Sequence, residues 1–169
     1  VGESMNRANR RLKKDIKSGM FVALLYAVLN SQDHTLTMCS AGQTQPVMMS
    51  VKTAEATLVE TEGDTFPLGI LEDANYEETL LQLQPGDKVV FYTDGITEAR
   101  SPNDDLFGLN RLVYIVESRA TDSPEVLQQY IQSEVVNFWR HSSGRDDATL
   151  LVIKILPHSE ATAPQDIST

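Results

Sequence analysis

Cysteine is almost missing from this chain: Cys39 is the one such residue among 169. A disulfide within the chain is therefore excluded, and a reducing, cytoplasmic setting is the expectation. Positive charge is also scarce, with 14 Lys and Arg against 24 Asp and Glu and a formal net charge of −10. Such a field repels a phosphate polyanion, so no nucleic-acid partner is expected. No apolar run is long enough to span a bilayer, so no membrane partner is expected either. The sequence contains no glycine-rich loop ahead of a helix to cradle a nucleotide triphosphate. His34, His141 and His158 show no metal-ligand spacing. Cys39 has no convincing histidine partner, which argues against thiol catalysis and for a small core residue. Repeats and low-complexity tracts are absent as well.

What is present has the balance of one globular domain: 41% hydrophobic and 22% charged residues over 169 positions. The scarce basic residues are concentrated. Arg7, Arg10, Arg11, Lys13, Lys14 and Lys17 all fall within the first seventeen positions. Met5, Ala8, Leu12 and Ile16 recur there at three- and four-residue spacing, which predicts an amphipathic helix over 3–17. The basic residues read most simply as its solvated face.

A β-rich middle follows. The stretch 20–30, MFVALLYAVLN, is nearly all apolar and predicts a strand buried on both faces. Residues 35–41 return as a second strand, closed by Gly42. Short strands are predicted over 46–51 and 56–60, a further one over 76–83, and another over 88–93 after the Pro85-Gly86-Asp87 turn. Helices are predicted over 107–118 and from Ser123-Pro124-Glu125, where a capping serine, a first-position proline and an acid mark a helix start. A last strand is predicted over 148–155, and the polar tail 157–169 is expected to be disordered. The block of strands leaves no room for helical crossovers, so the fold class is α+β with layered, antiparallel sheets.

Two acidic motifs stand out. Asp94, in Tyr92-Thr93-Asp94-Gly95, closes one apolar strand, and Asp146-Asp147 opens another. If those strands are antiparallel neighbours, both motifs lie on one rim of a sheet. Crowded carboxylates repel unless a cation lies between them, and hard divalent cations prefer oxygen ligands. Gly95 would let the backbone pass tightly beside such a site. An Asp-Gly pair after a strand is equally a common turn, and Asp-Asp before a strand is commonly a solvated loop. The residues alone leave both readings open.

Taken together, GMFVALLYAVLN, LTMCSAGQTQPV, FPLGI, LQPGDKVVFYTDGITEAR, FGLNRL and GRDDATLLVIKI resemble bacterial protein phosphatase 2C-like enzymes of the sporulation protein E and stress-response regulator type. The resemblance runs from the first residue to about Ile155. It implies an αββα sandwich of two mainly antiparallel sheets flanked by helices, with a binuclear Mn²⁺ or Mg²⁺ centre and hydrolysis by a metal-activated water. It carries metal-binding roles to Asp94 and Asp146, with Thr93, Gly95 and Asp147 as supporting neighbours. Glu98 matches a recurrent acid and is expected to make a structural hydrogen bond.

The resemblance also implies a phosphoserine or phosphothreonine protein substrate, such as an anti-sigma-factor antagonist. An upstream sensor or receiver domain and a homodimer are the further partners it suggests. Two departures are visible. The family's early Asp-Gly metal motif has no counterpart, and Gln43 stands where histidine is frequent. Residues 1–156 are therefore expected to be the C-terminal two-thirds of a phosphatase domain, incomplete at its N-terminus and weakly active alone. A degenerate, non-catalytic interaction module is the alternative reading.

Overall fold

The computed structural model describes residues 1–17, 19–139 and 147–157. Their order is α1 (Gly2–Asp15), β1 (Leu24–Asn30), β2 (Thr35–Ala41), β3 (Val47–Met49), β4 (Ala56–Leu58), β5 (Thr79–Gln82), β6 (Lys88–Tyr92), α2 (Asp94–Thr97), α3 (Leu109–Ser118), α4 (Pro124–Trp139) and β7 (Leu150–Lys154). One sheet has the order β1-β2-β5 and the other β4-β3-β6-β7, with every pairing antiparallel.

Three apolar clusters show how the layers stack. Met5 of α1 packs with Cys39 and Ala41 of β2, together with Leu68 and Tyr76. Leu36 and Met38, pointing the other way from β2, meet Val89 of β6 and Ile155 between the sheets. Val90 and Tyr92, on the far face of β6, pack with Leu112 and Val116 of α3 and with Leu127 and Ile131 of α4. The central strands β2 and β6 thus alternate between two buried faces. The layers run helix, sheet, sheet, helix, as the resemblance implies.

Local signals explain the element ends. Ser123 accepts the Val126 amide at 3.3 Å, as expected of the residue that starts α4. Gly42 ends β2 at φ +80°, and a β-carbon there would lie 2.5 Å from Cγ of Pro67. That position requires glycine on both counts.

The first strand departs from expectation. Residues 20–30 are apolar enough for burial on both faces, yet β1 is an edge strand that pairs only with β2. Leu25 and Ala27 reach the core between the sheets, while Leu24, Tyr26, Val28 and Leu29 remain exposed. The physical reason is a lack of neighbours: among the described residues nothing pairs with the outer edge of β1 or covers those side chains. The short helix α2 was also unanticipated. The expected disorder of the tail concerns residues of which all but 157 lie outside the described ones.

Candidate metal-binding rim

Strands β6 and β7 pair in antiparallel register from Lys88↔Lys154 to Tyr92↔Leu150. The pairing continues one residue further, where the Thr93 amide donates to the Thr149 carbonyl at 3.1 Å. The end of β6 and the approach to β7 therefore lie side by side, as the sequence reading required. Asp94 then opens α2 on an exposed rim. Its Oδ1 accepts the Gly95 amide at 3.0 Å, and its carbonyl accepts the Glu98 amide at 2.7 Å.

Gly95 is buried against the other arm. A β-carbon on it would stand 2.5 Å from the Asp147 carbonyl oxygen and 3.3 Å from Cα of Ala148. Thr93 ties the arms together through its hydroxyl, which donates to the Asp147 carbonyl at 3.2 Å and accepts the Thr149 amide at 2.9 Å. Of the residues singled out from sequence, the structure thus brings together Thr93, Asp94, Gly95 and Asp147. Asp146 lies outside the described residues. Glu98 is exposed, and the hydrogen bond expected of its carboxylate is not among those of the described residues.

Sequence reasoning missed the third neighbour of this rim. Thr44 donates its hydroxyl to the Tyr92 carbonyl, and the Ser40 hydroxyl donates to the Gln43 carbonyl at 3.4 Å. The loop after β2 is therefore fastened beside the end of β6. No sequence spacing announces this, because 48 positions separate the two residues. Burial pushes the Tyr92 phenol above its usual range.

Between the sheets runs a cavity of about 480 Å³. Leu25 and Ala27 of β1 form one wall, and Phe91 of β6 with Leu151 of β7 form the other. Its polar end is made by Gln43, Thr44, Thr93 and Thr149, immediately beside Asp94. The exposed edge of β1 and the outer edge strand β7 both border this cavity.

Carboxylate and carbonyl oxygens at the rim suit a hard divalent cation in kind. In number the described residues fall short: they contain no group of three or more His, Cys, Asp or Glu side chains able to hold a metal ion. Asp94 would hold part of such a centre, not the whole of it.

A family model described as Stage II sporulation protein E (SpoIIE) matches residues 1–156. The chain belongs to the SpoIIE family. Among the relatives of this SpoIIE-family chain, the phosphoserine phosphatase RsbU of Bacillus subtilis (strain 168) is 28% identical over 152 residues. That match covers 89% of this chain and 44% of RsbU, so the chain spans under half the length of this relative. Two solved structures show the same fold. The RsbU and RsbW domains of Rv1364c from Mycobacterium tuberculosis align with TM-score 0.69 and 23% identity, over 94% of this chain and 43% of that one. The SpoIIE phosphatase domain from Bacillus subtilis, presoaked with Mn, aligns with TM-score 0.61 and 20% identity, over 81% and 58%.

Proposed function

We propose that this chain is part of a metal-dependent phosphoserine and phosphothreonine protein phosphatase domain. The observation that supports it most is the close approach of Gly95 to Asp147, which sets the Asp94 rim directly against the arm that follows Asp146. The name of the relative RsbU and the fold shared with SpoIIE phosphatase domains support the same reading.

In this reading Asp94 and Asp146 hold two divalent ions, Mn²⁺ or Mg²⁺. When bound, such ions supply an activated water and positive charge against the phosphoryl oxygens. Asp94 projects from the start of α2, so a rigid sheet end fixes where its oxygens can lie. Thr93, Gly95 and Asp147 hold the second arm beside it. The phosphoryl group passes to water as its bond to the serine or threonine oxygen breaks, giving inorganic phosphate and the free hydroxyl, with no phosphoenzyme.

The substrate is a phosphorylated protein of a cytoplasmic signalling pathway, such as an anti-sigma-factor antagonist. Partners are a sensor or receiver domain in the same parent chain and, in a homodimer, a second copy. No nucleic acid and no membrane takes part. Among the described residues no helix is long and apolar enough to cross a membrane.

The free edges of β1 and β7 beside one apolar cavity support a further part of this reading. The rest of the phosphatase domain adds strands there, and it completes both the sandwich and the ligand set. The 169 residues alone should then release little phosphate.

The test is release of inorganic phosphate from a phosphoserine peptide in Mn²⁺. It compares this chain, the chain joined to its upstream sequence, and the joined form carrying Asp94→Asn. The expected result is slow release from the first, fast release from the second and loss in the third. Fast release that survives Asp94→Asn would refute the site. Peptide binding without release in the joined form would favour a non-catalytic interaction module.

A further inference from the structure

We infer that Thr93 is a positioning residue whose hydroxyl sets the separation between Asp94 and the arm that runs from Asp147 to Thr149. The inference rests on the metal-site reading above and assigns it a specific holding device.

The argument begins with ladder geometry. In an antiparallel pair whose residues face each other through hydrogen bonds, each amide donates to the other's carbonyl. Thr93 and Thr149 fulfil half of that pattern, with the Thr93 amide on the Thr149 carbonyl at 3.1 Å. The other half is absent: as α2 begins, the Thr93 carbonyl turns to the Ile96 amide at 3.0 Å. The Thr149 amide turns instead to the Thr93 hydroxyl at 2.9 Å. That hydroxyl still has its proton, which it gives to the Asp147 carbonyl at 3.2 Å.

One side chain therefore completes the last rung of the sheet and frees the main-chain carbonyl to start the helix that bears Asp94. It also fastens the opposite arm two residues earlier. A hydroxyl can do this because it accepts and donates at once. Valine has the same shape and can do neither. The contacts lie at a solvent-exposed rim, where water can replace them, so their loss should loosen the arm without unfolding the sheet.

The test is a Mn²⁺ titration of the chain joined to its upstream sequence, followed by the electron paramagnetic resonance of free Mn²⁺. Wild type, Thr93→Val, Thr93→Ser and Asp94→Asn are compared, with amide exchange at Thr149 read in the absence of metal. Thr93→Val is expected to weaken Mn²⁺ binding on the order of tenfold, the usual effect of removing a group that orients a ligand. It should also speed exchange at Thr149 while the rest of β6 and β7 stays protected. Thr93→Ser should restore both readouts.

Binding lost in Asp94→Asn but unchanged in Thr93→Val would overturn the role of Thr93 and leave the metal site standing. Failure of Thr93→Ser to rescue would also overturn it. Equal binding by wild type and Asp94→Asn, or no binding by wild type at millimolar Mn²⁺, would overturn the site and the inference together.

Discussion

Gly95 and the carbonyl of Asp147 approach so closely that a β-carbon on Gly95 would stand 2.5 Å from the oxygen. Real β-carbons do not tolerate that distance against backbone, so this glycine is needed for space. Gly95→Ala should force the 147–149 arm outward and cost about 1–3 kcal/mol, the usual range for overpacking. Urea unfolding would measure the loss. Amide shifts confined to residues 93–97 and 147–149 would localise it.

Tyr76 should govern part of the alkaline limb of stability. It is buried, and its hydroxyl donates to the Phe66 carbonyl at 2.8 Å. Burial, then the nearby charges of Asp64 and Cys39, raise its pKa. The unfolded chain therefore loses this proton first, at a pH near 10. The stabilising contribution is complete below that pH and is lost as pH climbs through the folded value. Tyr92 acts in the same direction. Lys88 acts oppositely: burial, then Lys154, lower its pKa, so its contribution grows as pH approaches the unfolded lysine value. Tyr76→Phe should lose about 1 kcal/mol at neutral pH with its hydrogen bond and show a shallower decline above pH about 10. Unfolding curves collected across that range would check both.

The bare edges of β1 and β7 predict self-association of this chain. Exposed strand edges with apolar side chains template pairing with other copies. Val28 and Leu151 are 44% and 53% exposed. Val28→Lys combined with Leu151→Lys should therefore reduce concentration-dependent association in sedimentation velocity. Val28→Lys should not lower the melting temperature appreciably, since that side chain faces solvent away from the cavity, whereas Leu151→Lys, on the cavity wall, should lower it.

On α1, Arg7, Arg10 and Lys14 are exposed on one stripe, and none has an ion-pair partner among the described residues. Like charges three and four positions apart destabilise a helix by about 0.2–0.5 kcal/mol per pair. Arg10→Glu replaces repulsion with attraction toward Arg7, Lys13 and Lys14. It should raise stability by a few tenths of a kcal/mol per pair at low salt, an advantage that shrinks as salt is added. Thermal melts at two ionic strengths would show it.

Much of the fold was legible because its signals are local. The spacing of Met5 and Leu12 announced α1, Ser123-Pro124 announced α4, and β2 was read end to end. The antiparallel adjacency of β6 and β7 was only a condition of the sequence argument, because α2, α3 and α4 lie between them, and the structure meets that condition. The burial of β1 was misread for a physical reason. An apolar sequence reports what a strand can bury, and only its neighbours decide whether it does. Helix α2 escaped because Asp94-Gly95 is a turn signal, and what makes it helical is the Ile96 amide finding the Thr93 carbonyl. The loop contact from Thr44 to Tyr92 is non-local and left no trace in spacing. At the site, residue types indicated the chemistry, while the hydroxyl bridge of Thr93 became visible only with coordinates.

The most direct measurement is manganese anomalous scattering from crystals of this chain joined to its upstream sequence and soaked in Mn²⁺. The account predicts a peak within coordination distance of the carboxylates of both Asp94 and Asp146, about 2–2.5 Å for a hard divalent ion on oxygen. The two carboxylates lying on different sides of the sandwich, or manganese bound elsewhere with none at Asp94, would contradict it.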